Sequence, residues 1–455
     1  IFPLVYFPHK CGKFILKVLS KDEALITALD HEGRGIAHVD EKILFIDNAM
    51  VGETVKFKVF KRKKKALFAK SLDILRSSTE RVEPICEYFG MCGGCSMQHF
   101  EISSQIAHKQ RAFEQTMKHV GKVFPSQLLA PISGPTREYR HKARFRVKFV
   151  EKKQKVLIGF NEKLSHFITN MQSCAVIPKK ISNLLPTLQD MFSMLSIRDQ
   201  IPQIEYASNQ IRHILVLRIL QPLSPSDIST LSSFQLENNI EFWTQTKGYD
   251  TVKPLLDNVD LNISYINDEF DLSFDFNPTS FTQINPFVNK VLIRRAMNLL
   301  NPQPGDLIID FFCGLGNFTL PIATYGATVC GVEGDAILVE SAKINANKNA
   351  LNSLVTFKKI DLFKINEDDI SSLGDASKWL IDPPRDGALN LINSLNKSNK
   401  PKIICYISCN AASLARDASI LINEKGYRFS KAGILNMFPH TAHVESIALF
   451  EFDEN

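Results

Sequence analysis

From about residue 275 onward, short apolar runs alternate with stretches of helical periodicity, and no other feature narrows the possible folds as far. The apolar runs fall at residues 307–311, 327–332, 355–359, 379–381, 403–407 and 446–450, with helices expected between them, for example at 287–300 and 336–350. Strands alternating with helices imply a largely parallel, doubly wound sheet. The expected fold class is therefore α/β and Rossmann-like in this part of the chain. Such a sheet binds ligands outside the carboxyl ends of its strands. Residues that end the strands are thus the first candidates for chemistry.

The first of these strands runs into Asp310-Phe-Phe-Cys-Gly-Leu-Gly-Asn-Phe-Thr319. Gly314 and Gly316 let the backbone turn tightly against a ligand, and Asn317 belongs to the same turn. The third small position of a dinucleotide fingerprint is occupied by Thr319, which argues against NAD. Glu333 ends the next strand, about 20 residues on, where a carboxylate can bind ribose hydroxyls. Asp361 follows the third strand and Asp382 the fourth. Acidic groups at strand ends suit a ligand that carries a sulfonium and an ammonium, and suit pyrophosphate poorly. The pattern points to S-adenosylmethionine (SAM). Asp382 opens Asp382-Pro-Pro-Arg385. An aromatic residue in place of Arg385 would suggest methylation of a base amino group; the bland reading is a rigid turn.

Cys409 sits in Tyr406-Ile-Ser-Cys-Asn410, directly after an apolar run. Carbon 5 of uracil is a poor nucleophile. A thiolate that adds to carbon 6 turns the ring into an enolate, and its carbon 5 can then attack a methyl donor. The proton on carbon 5 must afterwards leave, so a base is needed. Glu445, in Pro439-His-Thr-Ala-His-Val-Glu445, is the candidate. The competing readings are an inert buried thiol, as expected for Cys330 and Cys405, and a surface Glu or a metal site of His440, His443 and Glu445.

The chain has 455 residues, which by the domain-size prior is about three domains. Residues 1–76 read as short strands at 14–18, 23–27, 36–39, 42–46 and 54–60, a small β-barrel of the OB type. Residues 77–274 read as a mixed α+β region, with a helix at 101–120, strands at 142–150, 156–160 and 213–219, and a Ser/Pro-rich loop at 221–229. Residues 275–455 are the doubly wound part. No apolar run approaches the roughly 20 residues of a membrane span, and the short apolar stretch at 1–8 lacks the charged start of a signal peptide. Nine cysteines, an odd number, argue against a disulfide scaffold and for a reducing cytoplasm. Net charge is +6, a weak signal by itself. Two basic clusters say more. One is Lys61-Arg-Lys-Lys-Lys65. The other spans Arg137, Arg140, His141, Lys142, Arg144, Arg146 and Lys148, interleaved with Tyr139, Phe145 and Phe149. On a strand that alternation puts cations on one face and apolar groups on the other, as an RNA-contacting surface would. Cys86, Cys92 and Cys95, with Cys174 as a fourth, suit either zinc or a [4Fe–4S] cluster.

Taken together, these residues resemble the RNA uracil-C5 methyltransferases, and within them the branch that acts on 23S ribosomal RNA. The resemblance covers nearly the whole chain. It implies that the N-terminal barrel is a TRAM domain and that Cys86, Cys92, Cys95 and Cys174 hold [4Fe–4S]. Phe281-Thr-Gln-Ile-Asn285 is similar to the family stretch whose glutamine contacts SAM, here Gln283. Phe312, Glu333 and Asp382 match further SAM-contacting positions. Ser408-Cys409-Asn410 matches the nucleophile motif and His443-Val-Glu445 the base motif. The transfer RNA branch generally lacks both barrel and cluster, so their presence favours ribosomal RNA; cluster-bearing archaeal relatives keep transfer RNA as the alternative. The expectation is a cytoplasmic, monomeric enzyme. Its rivals are a non-catalytic RNA-binding protein, which would need neither Cys409 nor Glu445, and a NAD-dependent oxidoreductase.

Overall fold

The alternating C-terminal segment builds an eight-stranded sheet. Its strand order is Val355–Lys359, Thr328–Glu333, Leu307–Phe311, Lys378–Ile381, Ile403–Ser408, Glu445–Glu451, Arg428–Leu435 and Gln127–Leu128. The first five are parallel, and Glu445–Glu451 runs antiparallel to both of its neighbours. Side chains alternate between the faces of a strand, and here both faces are covered. Ile308, Val329, Leu380 and Ile407 enter one core. Ile309, Val332, Ile381 and Ile404 enter the other. Double burial is why these strands read as unbroken apolar runs. The computed structural model describes residues 22–39, 42–257, 259–261, 263–396 and 399–452. The strand expected at 14–18 and the apolar stretch at 1–8 lie outside them.

Two strands of this sheet escaped the sequence pattern. Arg428–Leu435 carries a bulge between Phe429 and Lys431 that breaks its alternation. Gln127–Leu128 is only two residues long and comes from far upstream. Helix Ile102–Thr116 also comes from upstream and packs against helix Ala411–Asn423. It gives way to a wide turn, Met117–Gly121, at the glycine expected to break it. A Cβ on Gly121 would stand 2.6 Å from the carbonyl oxygen of Ala415, so the close approach needs glycine.

A second sheet has the order Lys253–Pro254, Glu241–Gln245, His213–Arg218, Gln203–Ser208, Lys142–Val150 and Lys155–Gly159. On Lys142–Val150 the expected alternation holds: Ala143, Phe145 and Val147 are buried, while Arg144, Arg146 and Lys148 are exposed. The Ser/Pro-rich stretch at 221–229 is not simply a loop. It starts helix Pro225–Asn238: the Ser224 hydroxyl accepts from Asp227 N at 3.1 Å, and the Asp227 carboxylate accepts from Ser224 N at 3.0 Å. Ser at the cap with Pro at the first helical position is a helix start signal.

The chain divides into two units, Ile1–Arg81 and Val82–Asn455, and both sheets above lie in the second. The first unit is a six-stranded sheet, Glu23–Leu25, Thr54–Arg62, Ala66–Arg76, Lys42–Asp47, Gly35–Val39 and Ala28–Leu29, around Ala24, Leu44, Ile46, Val55 and Ala69. Its longest strand, Ala66–Arg76, was not anticipated. The exposed run Lys61–Lys65 lies where Thr54–Arg62 turns back into that strand, with Lys63 N donating to Ala66 O at 2.8 Å. Among the described residues, no helix is long and apolar enough to cross a membrane.

Candidate active site at the carboxyl edge of the large sheet

Parallel registration brings the strand ends together. Phe311 pairs with Val332 and with Ile381, and Ile381 pairs with Tyr406. Phe312, Glu333, Asp382 and Cys409 therefore follow these strands at one edge. The antiparallel neighbour adds the fifth group. Ser408 pairs with Ser446, and the Ser446 hydroxyl donates to Ser408 O at 3.1 Å. Cys409 and Glu445, one step beyond each partner, thus come to stand side by side.

Each group is fixed locally. Cys409 sits between Ser408, whose hydroxyl accepts from Asn410 N at 3.1 Å, and Asn410, whose side chain caps helix Ala411–Asn423. Asn410 Nδ2 also donates to Arg385 O at 2.9 Å, which ties the thiol's turn to the Asp382-Pro-Pro-Arg385 loop. Phe312 adopts φ +62°, a left-handed backbone that is uncommon away from glycine and is often met at functional sites. Gly314 N donates to Glu333 Oε2 at 3.1 Å, so the glycine turn is locked onto that carboxylate.

The loop that delivers Glu445 is held from several sides. Lys109 Nζ donates to Asn436 Oδ1 at 2.7 Å and to Phe438 O at 2.9 Å. Tyr139 OH donates to Pro439 O at 2.9 Å. His440, at φ +65°, accepts on its carbonyl from Ser96 N and Met97 N, each at 2.9 Å, while its Nε2 lies 3.0 Å from Thr136 O. His440 is thus a scaffold for this loop.

Electrostatically the edge is a nest of carboxyls. Burial raises Asp310 to about 8, against the opposing hydrogen bond from Thr319 and with help from Asp382 and Glu333. Part-buried Asp382 is raised to about 7. Glu445, 3 % exposed, is held well above the usual carboxylate range by burial and then by Asp382. The Cys409 thiol is pushed up to about 11 by burial, then by Glu445 and Asp382, with Arg385 opposing. Such clustering of displaced values is common at functional sites. Asp310 was not singled out from the sequence. Its Oδ2 accepts from Thr319 Oγ1 at 2.5 Å, which gives a reason for threonine at the third fingerprint position.

Three further candidates have contacts of their own. Asn317 is engaged by protein: its Oδ1 accepts from Tyr265 OH at 3.1 Å and from Asn289 Nδ2 at 3.0 Å. Gln283 lines a cavity of about 40 Å³ together with Tyr265 and Asn289. Asp361 follows Val355–Lys359, but its carboxylate turns to Lys364, at 3.4 Å, and to Phe363 N, at 3.1 Å.

Cys86, Cys92, Cys95 and Cys174 are free thiols, and all four line one cavity of about 270 Å³. Burial raises Cys95 to about 12 and Cys174 to about 11. Among the described residues, no group of three or more His, Cys, Asp or Glu is drawn together tightly enough to hold a single metal ion. His440, His443 and Glu445 accordingly form no such group. The cysteine cavity is also lined by Arg385, Phe438, Thr441 and His443, so it borders the loops of the carboxyl edge.

A Rossmann-like sheet with a glycine turn locked to a strand-end carboxylate is the framework of a SAM-dependent methyltransferase. The profile of the tRNA (Uracil-5-)-methyltransferase family matches residues 101–452, and that of the TRAM domain residues 17–72. The chain belongs to the tRNA (Uracil-5-)-methyltransferase family and carries an N-terminal TRAM domain. It is similar to the 23S rRNA (uracil(1939)-C(5))-methyltransferase RlmD of Aromatoleum aromaticum, 47% identical over 94% of this chain and 99% of that one. It is 48% identical to the protein of the same name from Dechloromonas aromatica, over 94% and 98%. Among solved structures, the tRNA (uracil-54, C5)-methyltransferase of Pyrococcus abyssi, in complex with S-adenosyl-L-homocysteine, superposes with a TM-score of 0.74 at 21% identity, covering 95% of this chain and 100% of that one. That likeness bears out the fold.

Proposed function

We propose that this chain transfers a methyl group from SAM to carbon 5 of a uridine in 23S ribosomal RNA through a covalent Cys409 adduct. The reading is carried by the register Ser408–Ser446, which sets a thiol and a buried carboxyl side by side at the edge that ends in Asp382. Two relatives at 47–48% identity, both named for 23S rRNA, support ribosomal over transfer RNA.

In this reading SAM supplies an electrophilic methyl group. Gln283, Phe312, Gly314, Asn317, Glu333, Asp361 and Asp382 form its cradle, Asn317 chiefly by bracing Asn289 and Tyr265. Cys409, as its thiolate, would add to carbon 6 of the uracil; carbon 5 would take the methyl group with S-adenosylhomocysteine as the leaving group; and Glu445, ionised, would remove the carbon 5 proton so that the thiolate is expelled. Burial and then the neighbouring carboxyls disfavour the Cys409 thiolate, with Arg385 opposing. A cationic ligand at the same edge would lower Asp382, Glu445 and Cys409 together. Residues 275–455 would do the chemistry; residues 1–76 and 77–274 would hold the RNA.

The donor set at Cys86, Cys92, Cys95 and Cys174 fits a [4Fe–4S] cluster. Four soft, undisulfided thiols surround a cavity rather than converge on a point, which suits a polynuclear centre better than one zinc ion. A monomer in the cytoplasm completes the reading. The test is methyl transfer from labelled SAM to unmodified 23S rRNA and to transfer RNA transcripts, with the product mapped by mass spectrometry. We expect 5-methyluridine in 23S rRNA alone, and neither adduct nor product from Cys409→Ala, which should still bind SAM. Turnover by that variant would refute the nucleophile.

A further inference from the structure

A groove in the second unit takes no part in the chemistry proposed above. Its volume is about 600 Å³, and its lining includes Arg144, Arg146, Phe160, Lys163, Leu164 and His166. One side is the exposed face of strand Lys142–Val150. Arg144 and Arg146 stand two residues apart on that face, roughly 7 Å along the strand. Glu205 takes one contact from Arg144, at 3.0 Å, yet Arg144 stays 59 % exposed.

The other side is the 160–166 loop, fastened to the cysteine loop by backbone. Gly93 N donates to Asn161 O at 2.9 Å, Lys163 N donates to Met91 O at 2.7 Å, and Cys92 bridges to Glu162. Gly93 and Gly94 line the groove between them, and a Cβ on Gly93 would already stand 3.1 Å from Asn161 O. The groove therefore depends on how the chain runs between Cys92 and Cys95.

Two features identify the occupant. Three cations, Arg144, Arg146 and Lys163, stand against Glu162 and, through Arg144, Glu205, so the site keeps a net positive charge and suits an anion. On the same loop, Leu164, 80 % exposed at φ +56°, lines the groove, and Phe167, 73 % exposed, follows the last lining residue and accepts on its carbonyl from Glu162 N at 2.8 Å. Phosphate-binding cations beside an exposed aromatic ring are the elements of a single-stranded RNA site, where charge tracks the backbone and rings stack on unpaired bases. We propose that this groove holds a single-stranded stretch of the RNA substrate away from the reacting uridine, with Arg144 and Arg146 on separate phosphates and Phe167 against a base. The proposal rests on the reading of the chain as an RNA methyltransferase.

The test is binding of an unmodified 23S rRNA transcript to the full-length protein across a salt series. Two lost phosphate contacts on a single strand should reduce the slope of log K against log salt by about 1.4. The double variant Arg144→Gln, Arg146→Gln should show that reduction and bind roughly tenfold more weakly. SAM affinity, which reports an intact fold, and kcat at saturating RNA should not change. Arg144→Lys with Arg146→Lys should restore most of the slope. Lys343→Gln, an exposed lysine on helix Ala336–Lys348 and outside both basic clusters, should leave it as it was. A double Gln variant with unchanged affinity and slope, made from a wild-type protein that binds and methylates the transcript, overturns the groove. A wild-type protein that neither binds nor methylates it overturns the functional reading itself.

Discussion

Asp310 offers a direct test of the carboxyl nest. Its side chain is 0 % exposed, Oδ2 accepts from Thr319, and Oδ1 has no hydrogen-bond partner among the described residues. Burial raises the carboxyl from 3.8 to about 8. In the unfolded chain it returns to its ordinary value. Between those two values the folded protein keeps a proton that the unfolded chain has lost. The stabilisation is full below about 3.8 and is withdrawn as pH rises toward about 8, at 1.36 kcal/mol per unit. From about pH 5 to about pH 7.5 the withdrawal is about 3 kcal/mol. Asn fills the same space, can still accept from Thr319 and never ionises. Asp310→Asn should therefore lose about 3 kcal/mol less than wild type over that interval. Asp382 and Glu445 remain in both proteins and contribute a common background slope. Urea denaturation of the ligand-free protein at the two pH values measures the difference. Trp243 and Trp379 are the chain's two tryptophans and both lie in the second unit, so their fluorescence follows the relevant transition. Equal losses in wild type and variant would mean that Asp310 is ionised in the native state, and would refute the account of the nest.

Glu445→Gln keeps shape and hydrogen bonding while removing basicity. It should accumulate methylated RNA covalently joined to protein, seen as a slow band on a denaturing gel carrying the SAM methyl label; normal turnover, or a block before methyl transfer, would move the base elsewhere. Protein purified without oxygen should be brown and contain iron and sulfide, and Cys92→Ser should lose both; one equivalent of zinc with no visible absorbance would rule out the cluster.

The parallel part of the fold was legible because double burial writes strands as apolar runs and because turn chemistry marks their ends. Glu333, Asp382 and Cys409 could be picked out for that reason: each follows a strand whose core side chains announce it. Elements whose making depends on partners were not legible. Ala66–Arg76 buries Leu67, Ala69 and Ser71, but Phe68 and Leu72 between and after them are apolar too, so no period of two shows until Thr54–Arg62 pairs with it. Gln127–Leu128 is too short to show any period. Ser224 and Asp227 signal the helix at Pro225, but Ser and Pro form loops as readily as a cap and a first turn, so composition alone reads the stretch as a loop.

The same distinction separates the proposed reacting groups from the residues that hold them in place. A thiol and a carboxylate are visible as chemistry in any sequence. Lys109, Tyr139 and the backbone of Ser96 and Met97 become relevant only when the fold lays them against 436–440. Those contacts join the cysteine segment to the loop that carries Glu445. The side-chain bonds are buried, where a lost hydrogen bond leaves its partner unsatisfied at a cost of about 1–3 kcal/mol. A disturbance at Cys95 therefore has a short path, through Ser96, Met97 and His440, to Glu445 five residues further on. The cysteine segment lies far from the methyltransferase sheet in sequence and borders it in space, so its integrity and the placement of Glu445 are one structural problem.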